Sequence, residues 1–302
     1  MKLISYSQGN RIATGLWIDG EVLDIAAAAQ LAGMSLDASS VLALIRGGAA
    51  SLHALRDLQR RAKSMKNVLI SGNSVQLLAP LPALARNAFC VGRNYVDHVK
   101  EGAAVSGTAV KLPEVPQFFT KATHALNSPN GDIRYDTNVT KVLDYEAELG
   151  VIIGAGGRDI PHDKALSHVF GYCVANDFTA RDLQRRHDQW FKGKSLDTTL
   201  PLGPWIIDSE EIGDPTTLEL TLTVNGEERQ RARVSQMIFD LPTIISSLSA
   251  GLTLEPGDVI ATGTPSGVGF AMKPPRPLQD GDLVVTRIDR IGELRNRIVK
   301  VK

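Results

Sequence analysis

The densest chemistry in the chain lies in Leu143-Asp144-Tyr145-Glu146-Ala147-Glu148-Leu149, which runs on into the apolar GVIIG. In an extended strand, successive side chains point to opposite faces. Asp144, Glu146 and Glu148 then share one face, with Leu143, Tyr145, Ala147 and Leu149 on the other. Same-face neighbours lie only about 7 Å apart along a strand. Carboxylates that close repel one another unless water, a proton or a cation intervenes. Taken alone, the stretch also fits a solvated edge face, the usual place for charged side chains. A second acidic motif, Val174-Ala175-Asn176-Asp177-Phe178-Thr179-Ala180-Arg181-Asp182, sets Asp177 directly after the apolar GYCVA. Three carboxylates with no cysteine or clustered histidine suit a hard, oxygen-preferring cation: Mg2+ first, then Mn2+ or Ca2+. Glu146, Glu148 and Asp177 are the candidate ligands. Asp144 ranks behind them, and Asp182 is expected to pair locally with Arg181 or Arg185.

A base lies upstream, in Val91-Gly92-Arg93-Asn94-Tyr95-Val96-Asp97-His98-Val99-Lys100-Glu101. If a helix starts at Tyr95, His98 and Glu101 are three residues apart on one face and touch. A carboxylate beside an imidazole fixes its tautomer and raises its basicity, which makes a general-base pair. The spacing equally describes a surface ion pair. The next segment, GAAVSGTAVKLPEV, is small-residue-rich and aperiodic, either a mobile lid over a site or a plain surface loop. Lys192-Gly193-Lys194-Ser195 follows a helical, charge-rich stretch, Arg181–Phe191, and offers a lysine as a point charge for an anionic substrate; otherwise it is a solvated basic loop. The loop Gly263-Thr264-Pro265-Ser266-Gly267-Val268-Gly269 lacks both the Lys-Ser/Thr end of a P-loop and the G-x-G-x-x-G spacing, which argues against a nucleotide. Its backbone N–H groups are candidates for holding a substrate carboxylate. Ser195 has no G-x-S-x-G elbow around it. Trp17, Trp190 and Trp205 are scattered, as packing residues are.

The elements that must position these groups belong to a chain of 302 residues with 33 basic and 33 acidic side chains, so no overall field attracts nucleic acid or anionic lipid. Cys90 and Cys173 each sit in an apolar segment and read as free, buried thiols in a reducing compartment. MKLISYSQGN has no signal-peptide pattern, and no apolar run reaches the ~18 residues of a membrane span. A soluble cytoplasmic protein is expected. Residues 1–80 read as a small mixed α/β module: strands in KLISY, TGLWI and EVLDI, then helices over Ser40–Ile45 and Ser51–Lys66. From Arg86 onward strands dominate. Leu218, Leu220, Leu222 and Val224 alternate with polar residues and reach Asn225-Gly226, the signature of a type I′ hairpin turn. Asp240–Ser249 has an N-cap Asp, an early Pro and helical spacing, and VIATG and LVVTRI are further strands. The fold class is α+β, mostly β, with a folded, barrel-like second domain rather than a doubly wound parallel sheet.

In this order, VGRNYVDHVKE, PQFFTKATHALNSPNGDI, LDYEAELGVIIG, VFGYCVANDFTARDLQ, KGKSLDTTLPLGPW, VNGEERQ, LEPGDVIATGTPSGVG and LQDGDLV resemble the fumarylacetoacetate hydrolase family, from about Ala85 to the C-terminus. The resemblance implies a catalytic mixed β-roll over residues 85–302, built around a divalent cation and usually found in a homodimer. It places the metal triad on Glu146, Glu148 and Asp177. The His–Glu dyad of lid-bearing acylpyruvate hydrolases falls on His98 and Glu101, with the lid over residues 99–115. Substrate contacts fall on Arg181, Gln184, Lys194 and Thr264. The implied activity is Mg2+-dependent hydrolysis of a C–C bond in a 2,4-dioxo acid: His98 draws a proton from water, Lys194 and Arg181 hold anionic groups, and a pyruvate-type enolate leaves. Oxaloacetate decarboxylation and 2-oxo acid isomerisation or tautomerisation would share the same platform. A 2-oxo acid-binding protein without turnover is the alternative of another class.

Overall fold

The alternating and fully apolar runs of the sequence form two large sheets, beside a two-stranded one, and the computed structural model describes all 302 residues. The N-terminal module contributes β1 (Lys2–Gln8), β2 (Arg11–Ile18), β3 (Glu21–Asp24), α1 (Ile25–Leu31), α2 (Val41–Arg46), α3 (Gly48–Arg61) and β4 (Leu69–Ser71). The principal elements beyond it are β5 (Ala88–Gly92), α4 (Val96–Ser106), β6 (Gln117–Lys121), β7 (Ala147–Ile153), β8 (Val169–Asn176), α5 (Arg181–Arg186), α6 (Phe191–Lys194) and β9 (Leu200–Asp208). They are followed by β10 (Glu219–Val224), β11 (Glu227–Arg233), α7 (Leu241–Ser249), β12 (Val259–Ala261), β13 (Leu283–Ile288) and β14 (Gly292–Lys300).

The larger sheet runs β4-β3-β2-β1-β9-β8-β7-β12-β5-β6. Its strands are antiparallel except for the β12–β5 pair. The N-terminal module is continuous with it, because β1 pairs with β9 in the register Lys2↔Ile207 and Leu3↔Ile206. Arg56 of α3 adds a 2.8 Å ion pair to Asp208 at the end of β9. The second sheet runs β11-β10-β13-β14 and ends on a short parallel strand, Ile133–Tyr135. β7 and β8 are buried along their whole length. One face packs on the second sheet, through Val151, Ile153, Tyr172 and Val174 against Leu220, Leu222, Ile288 and Leu294. The other face, through Ile152, Phe170, Cys173 and Ala175, packs with the N-terminal helices. Burial on both sides explains why these strands read as continuous apolar runs.

Local chemistry accounts for the boundaries. Asn225 and Gly226 have φ of 52° and 83°, as the type I′ turn between β10 and β11 requires. Asp240 caps α7 by accepting from Thr243 N–H at 2.9 Å. Two expectations are corrected. The helix anticipated from Ser51 begins at Gly48 and yields to 3-10 turns after Arg61, and the alanine-rich α1 had not been foreseen. No helix is long and apolar enough to cross a membrane.

Asp24 ties the module together. It accepts from Tyr6 Oη at 2.7 Å, caps α1 through Ala27 N–H at 2.9 Å, and pairs with Arg11 at 2.6 Å. Burial pushes its pKa up, but these donors outweigh burial and hold it below the ordinary value. Its stabilising contribution is therefore present above about pH 4 and lost as pH falls through the folded value. Asp24→Asn is expected to cost about 1–3 kcal/mol at pH 7. Urea unfolding of both proteins should show the difference shrinking toward pH 3; a constant difference would contradict the assignment.

Candidate active site

The β7–β8 hairpin sets the site. Its register pairs Ala147 with Asn176, so Glu146 and Asp177 face each other one step further along, where Asp177 N–H donates to Glu146 O at 2.9 Å. The acidic stretch is not one continuous strand: Leu143–Asp144 pairs with Thr179–Ala180, and β7 begins at Ala147. Two side chains satisfy the backbone at this break. Asn176 accepts from Glu146 N–H and Gln230 from Ala147 N–H, both at 2.9 Å. Carboxylate oxygens of Glu146, Glu148 and Asp177 converge to within 4.8 Å of one another, all buried.

Three buried cations surround them. Lys194 Nζ lies 2.6 Å from Glu146 and 2.7 Å from Asp177. Lys121 Nζ lies 2.7 Å from Asp177 and donates to Phe178 O at 2.9 Å. Arg181 pairs with Asp144 at 3.0 Å and with Glu146 at 2.6 Å. Glu148 has no cation: its one partner is Gly263 N–H, 2.8 Å from Oε2. Burial, then the negative charges of Asp177 and Glu146, push its pKa well above the usual carboxylate range. Burial opposes the charge on Glu146 too, but Lys194 and Arg181 more than offset it and bring its pKa down to about 2. Buried Asp144, Glu146, Glu148 and Asp177 thus outnumber the cations by one. The shortfall falls on a carboxylate facing two others, and an all-oxygen donor set suits a divalent cation such as Mg2+, Mn2+ or Ca2+. Glu146, Glu148 and Asp177 would hold it.

The other candidates meet at the same place. His98 lies on α4, and its Nδ1 is 3.3 Å from Glu101 Oε2. Glu101 Oε1 accepts Gly267 N–H at 2.9 Å, which ties the pair to the glycine-rich loop. Thr264 accepts from Gln230 Nε2 at 2.8 Å, and Gln184 accepts from Arg181 at 3.1 Å. His98, Glu146, Glu148, Arg181, Gln184, Lys194 and Thr264 all line one cavity of about 40 Å³, with Arg93, Phe119 and Trp190 at its walls.

Some expectations fail here. Asp182 pairs with neither arginine; it accepts from Thr140 Oγ1 at 2.6 Å and Lys141 N–H at 2.8 Å, because Arg181 turns inward to Asp144. The Arg181–Phe191 stretch is not one helix: α5 stops at Arg186 and α6 starts at Phe191. The N–H groups of Gly263, Gly267 and Gly269 are spent on Glu148, Glu101 and Asp144 rather than left for a substrate carboxylate. Lys194 is a buried ion-pair centre, not a solvated loop lysine. The lid segment is helical at its start: α4 continues to Ser106, and residues 108–116 form neither helix nor strand. Lys121 escaped notice; its one signal is a lysine closing the strand QFFTK after two aromatics.

Residues 87–299 match the family model described as fumarylacetoacetate (FAA) hydrolase C-terminal. The chain belongs to the fumarylacetoacetate hydrolase family. It is 41% identical to the oxaloacetate tautomerase YisK of Bacillus subtilis over 304 aligned residues, 99% of this chain and 100% of the relative. Among solved structures, it resembles a fumarylacetoacetate hydrolase from psychrophilic Exiguobacterium antarcticum (TM-score 0.81, 38% identity, 99% of each chain). It also resembles maleylpyruvate hydrolase from Sphingobium sp. SYK-6, solved with manganese(II) and pyruvate (TM-score 0.76, 29% identity, 100% of each chain). Members of the family are enzymes on small-molecule acids, and the buried triad here is a possible divalent-metal site.

The unpaired state of Glu148 gives a direct test. Mn2+ or Mg2+ should raise the unfolding midpoint, since a ligand of the native state stabilises it by mass action. Binding should release protons, the more so at lower pH, because Glu148 must be ionised to coordinate; calorimetry in two buffers of different ionisation enthalpy measures it. Glu148→Gln should raise the metal-free midpoint, because glutamine is neutral folded and unfolded and so removes the cost of burying an acid that ionises more readily in the unfolded chain, and should abolish the metal-induced rise. Full metal stabilisation of that variant would refute the ligand assignment.

Proposed function

We propose that this protein is a divalent-metal-dependent enzyme that enolises 2-oxo acids and interconverts the keto and enol tautomers of oxaloacetate or a close analogue. The observation that carries the reading is the convergence of Glu146, Glu148 and Asp177, the two glutamates lining the cavity that also holds His98. A cation held by the three carboxylates would draw electron density from the 2-oxo oxygen and acidify the hydrogens on C3. The residues of the chain do the rest. Glu101 accepts the Nδ1 proton of His98 and leaves Nε2 as the base. His98 removes a proton from C3 and returns it to the 2-oxygen, or runs in reverse, so no atom is gained or lost. Lys194 and Arg181, though paired with buried carboxylates, line the cavity and add positive charge to it, while Gln184 and Thr264 orient the substrate. Whole-length similarity to an oxaloacetate tautomerase supports this reaction ahead of the C–C hydrolysis ranked first from sequence.

Hydrolysis of an acylpyruvate is the second reading, favoured by the likeness to maleylpyruvate hydrolase. There His98 would take its proton from water. NMR of oxaloacetate and acetylpyruvate with the Mn2+- or Mg2+-loaded protein separates the cases. Accelerated tautomer exchange without cleavage supports tautomerisation, and acetylpyruvate cleavage supports hydrolysis. Pyruvate and CO2 from oxaloacetate mean decarboxylation. No turnover of any 2-oxo acid would leave a binding protein. His98→Ala should lower kcat about 10²–10⁴-fold, the usual contribution of a general base, with the metal-induced midpoint rise unchanged. A variant with undiminished turnover would remove His98 from the mechanism.

A further inference from the structure

Arg93 stands apart from the other cations of the site. Arg181, Lys194 and Lys121 are all committed to buried carboxylates. Arg93 lines the same cavity, is exposed, and makes no ion pair within the chain. Its backbone is held against preference: φ is 58°, in the left-handed region that an arginine seldom adopts.

The turn around it is pinned from several directions. Gly92 lies against the Trp190 ring so closely that a Cβ would fall 2.5 Å from it. Asn94 is fully buried; its amide donates to Thr262 O at 2.8 Å and Phe239 O at 3.1 Å, and accepts Phe239 N–H at 2.8 Å. Gly263, whose N–H holds Glu148, packs on this turn, and a Cβ there would fall 2.7 Å from Asn94 Cβ. The Arg93 backbone is thus fixed relative to the metal triad by contacts that do not involve its own side chain. A strained, exposed arginine that lines the cavity, makes no ion pair and is kept in place by its surroundings marks a group placed for a ligand.

We propose that Arg93 is the specificity-determining residue that binds a second carboxylate, so that the substrates are 2-oxo diacids in preference to 2-oxo monoacids. This rests on the 2-oxo acid reading above. A guanidinium forms two parallel hydrogen bonds to a carboxylate, which a lysine does not reproduce.

The test compares oxaloacetate with 2-oxobutanoate, a monoacid of equal chain length. C3 hydrogen–deuterium exchange gives turnover above background, and calorimetry of the Mn2+-loaded protein gives Kd. Arg93→Ala should reduce the preference for the diacid about 10–100-fold, chiefly in KM and Kd. Arg93→Lys should restore part of it. Arg93→Gly should lose the preference too, yet raise the unfolding midpoint by about 1–3 °C, because glycine relieves the left-handed strain. Equal effects on both acids, or none, would overturn the proposal. If the unaltered protein turns over neither acid, the enzymatic reading fails, and the ratio of the two Kd values still decides whether Arg93 reads a second carboxylate.

Discussion

Everything at this site depends on the register of one hairpin. Pairing Ala147 with Asn176 brings Glu146 opposite Asp177, while Glu148 projects toward the same point from the next same-face position. A slip of one residue would turn every side chain of β7 to the opposite face of the sheet. Both faces of β7 and β8 are packed in apolar cores, so a slip would drive the carboxylates into one of them. Hydrophobic burial far from the chemistry therefore holds acids together that electrostatics alone would separate.

Buried charge seldom stabilises a fold, because desolvation offsets the attraction between partners. Here four buried carboxylates face three buried cations, and the excess is concentrated on Glu148. The surroundings keep that arrangement in place. Asn176 and Gln230 satisfy the backbone at the strand break, and Gln230 also donates to Thr264 and Pro265 on the glycine-rich loop. The loop in turn holds Glu148, Glu101 and Asp144 through its N–H groups. One loop thereby holds Glu148, the Glu101 partner of His98 and the Asp144 partner of Arg181 at once. The matched groups rigidify the network, while Arg181 Nη2 and, its ion pair to Lys121 aside, Asp177 Oδ1 are buried in it without a hydrogen-bond partner.

The N-terminal module takes no direct part in the cavity. Its contribution is to the sheet: β1 covers the edge of β9, and its helices bury the outer face of β8. An uncovered β9 would expose a long hydrogen-bonding edge. The module thus supports the hairpin from behind.

Much of this was legible in the residues themselves. Alternation in β10, the Asn225-Gly226 turn, the Asp240 cap and the three-residue spacing of His98 and Glu101 are local signals, and local backbone preference carried them into the fold. The types of the acids, with no cysteine or clustered histidine beside them, pointed to a hard cation. Partners distant in sequence were not legible. Lys121 meets Asp177 across 56 residues, and Gly263 meets Glu148 across 115. Asp182 turned to Thr140 rather than to its neighbouring arginines because Arg181 was drawn inward by Asp144. The sequence by itself determined which groups were available and which short elements would carry them. Only the tertiary structure decided which charges were neutralised and which, like Glu148 and Arg93, were left without an ion-pair partner, because pairing depends on strand order and burial that no local pattern encodes.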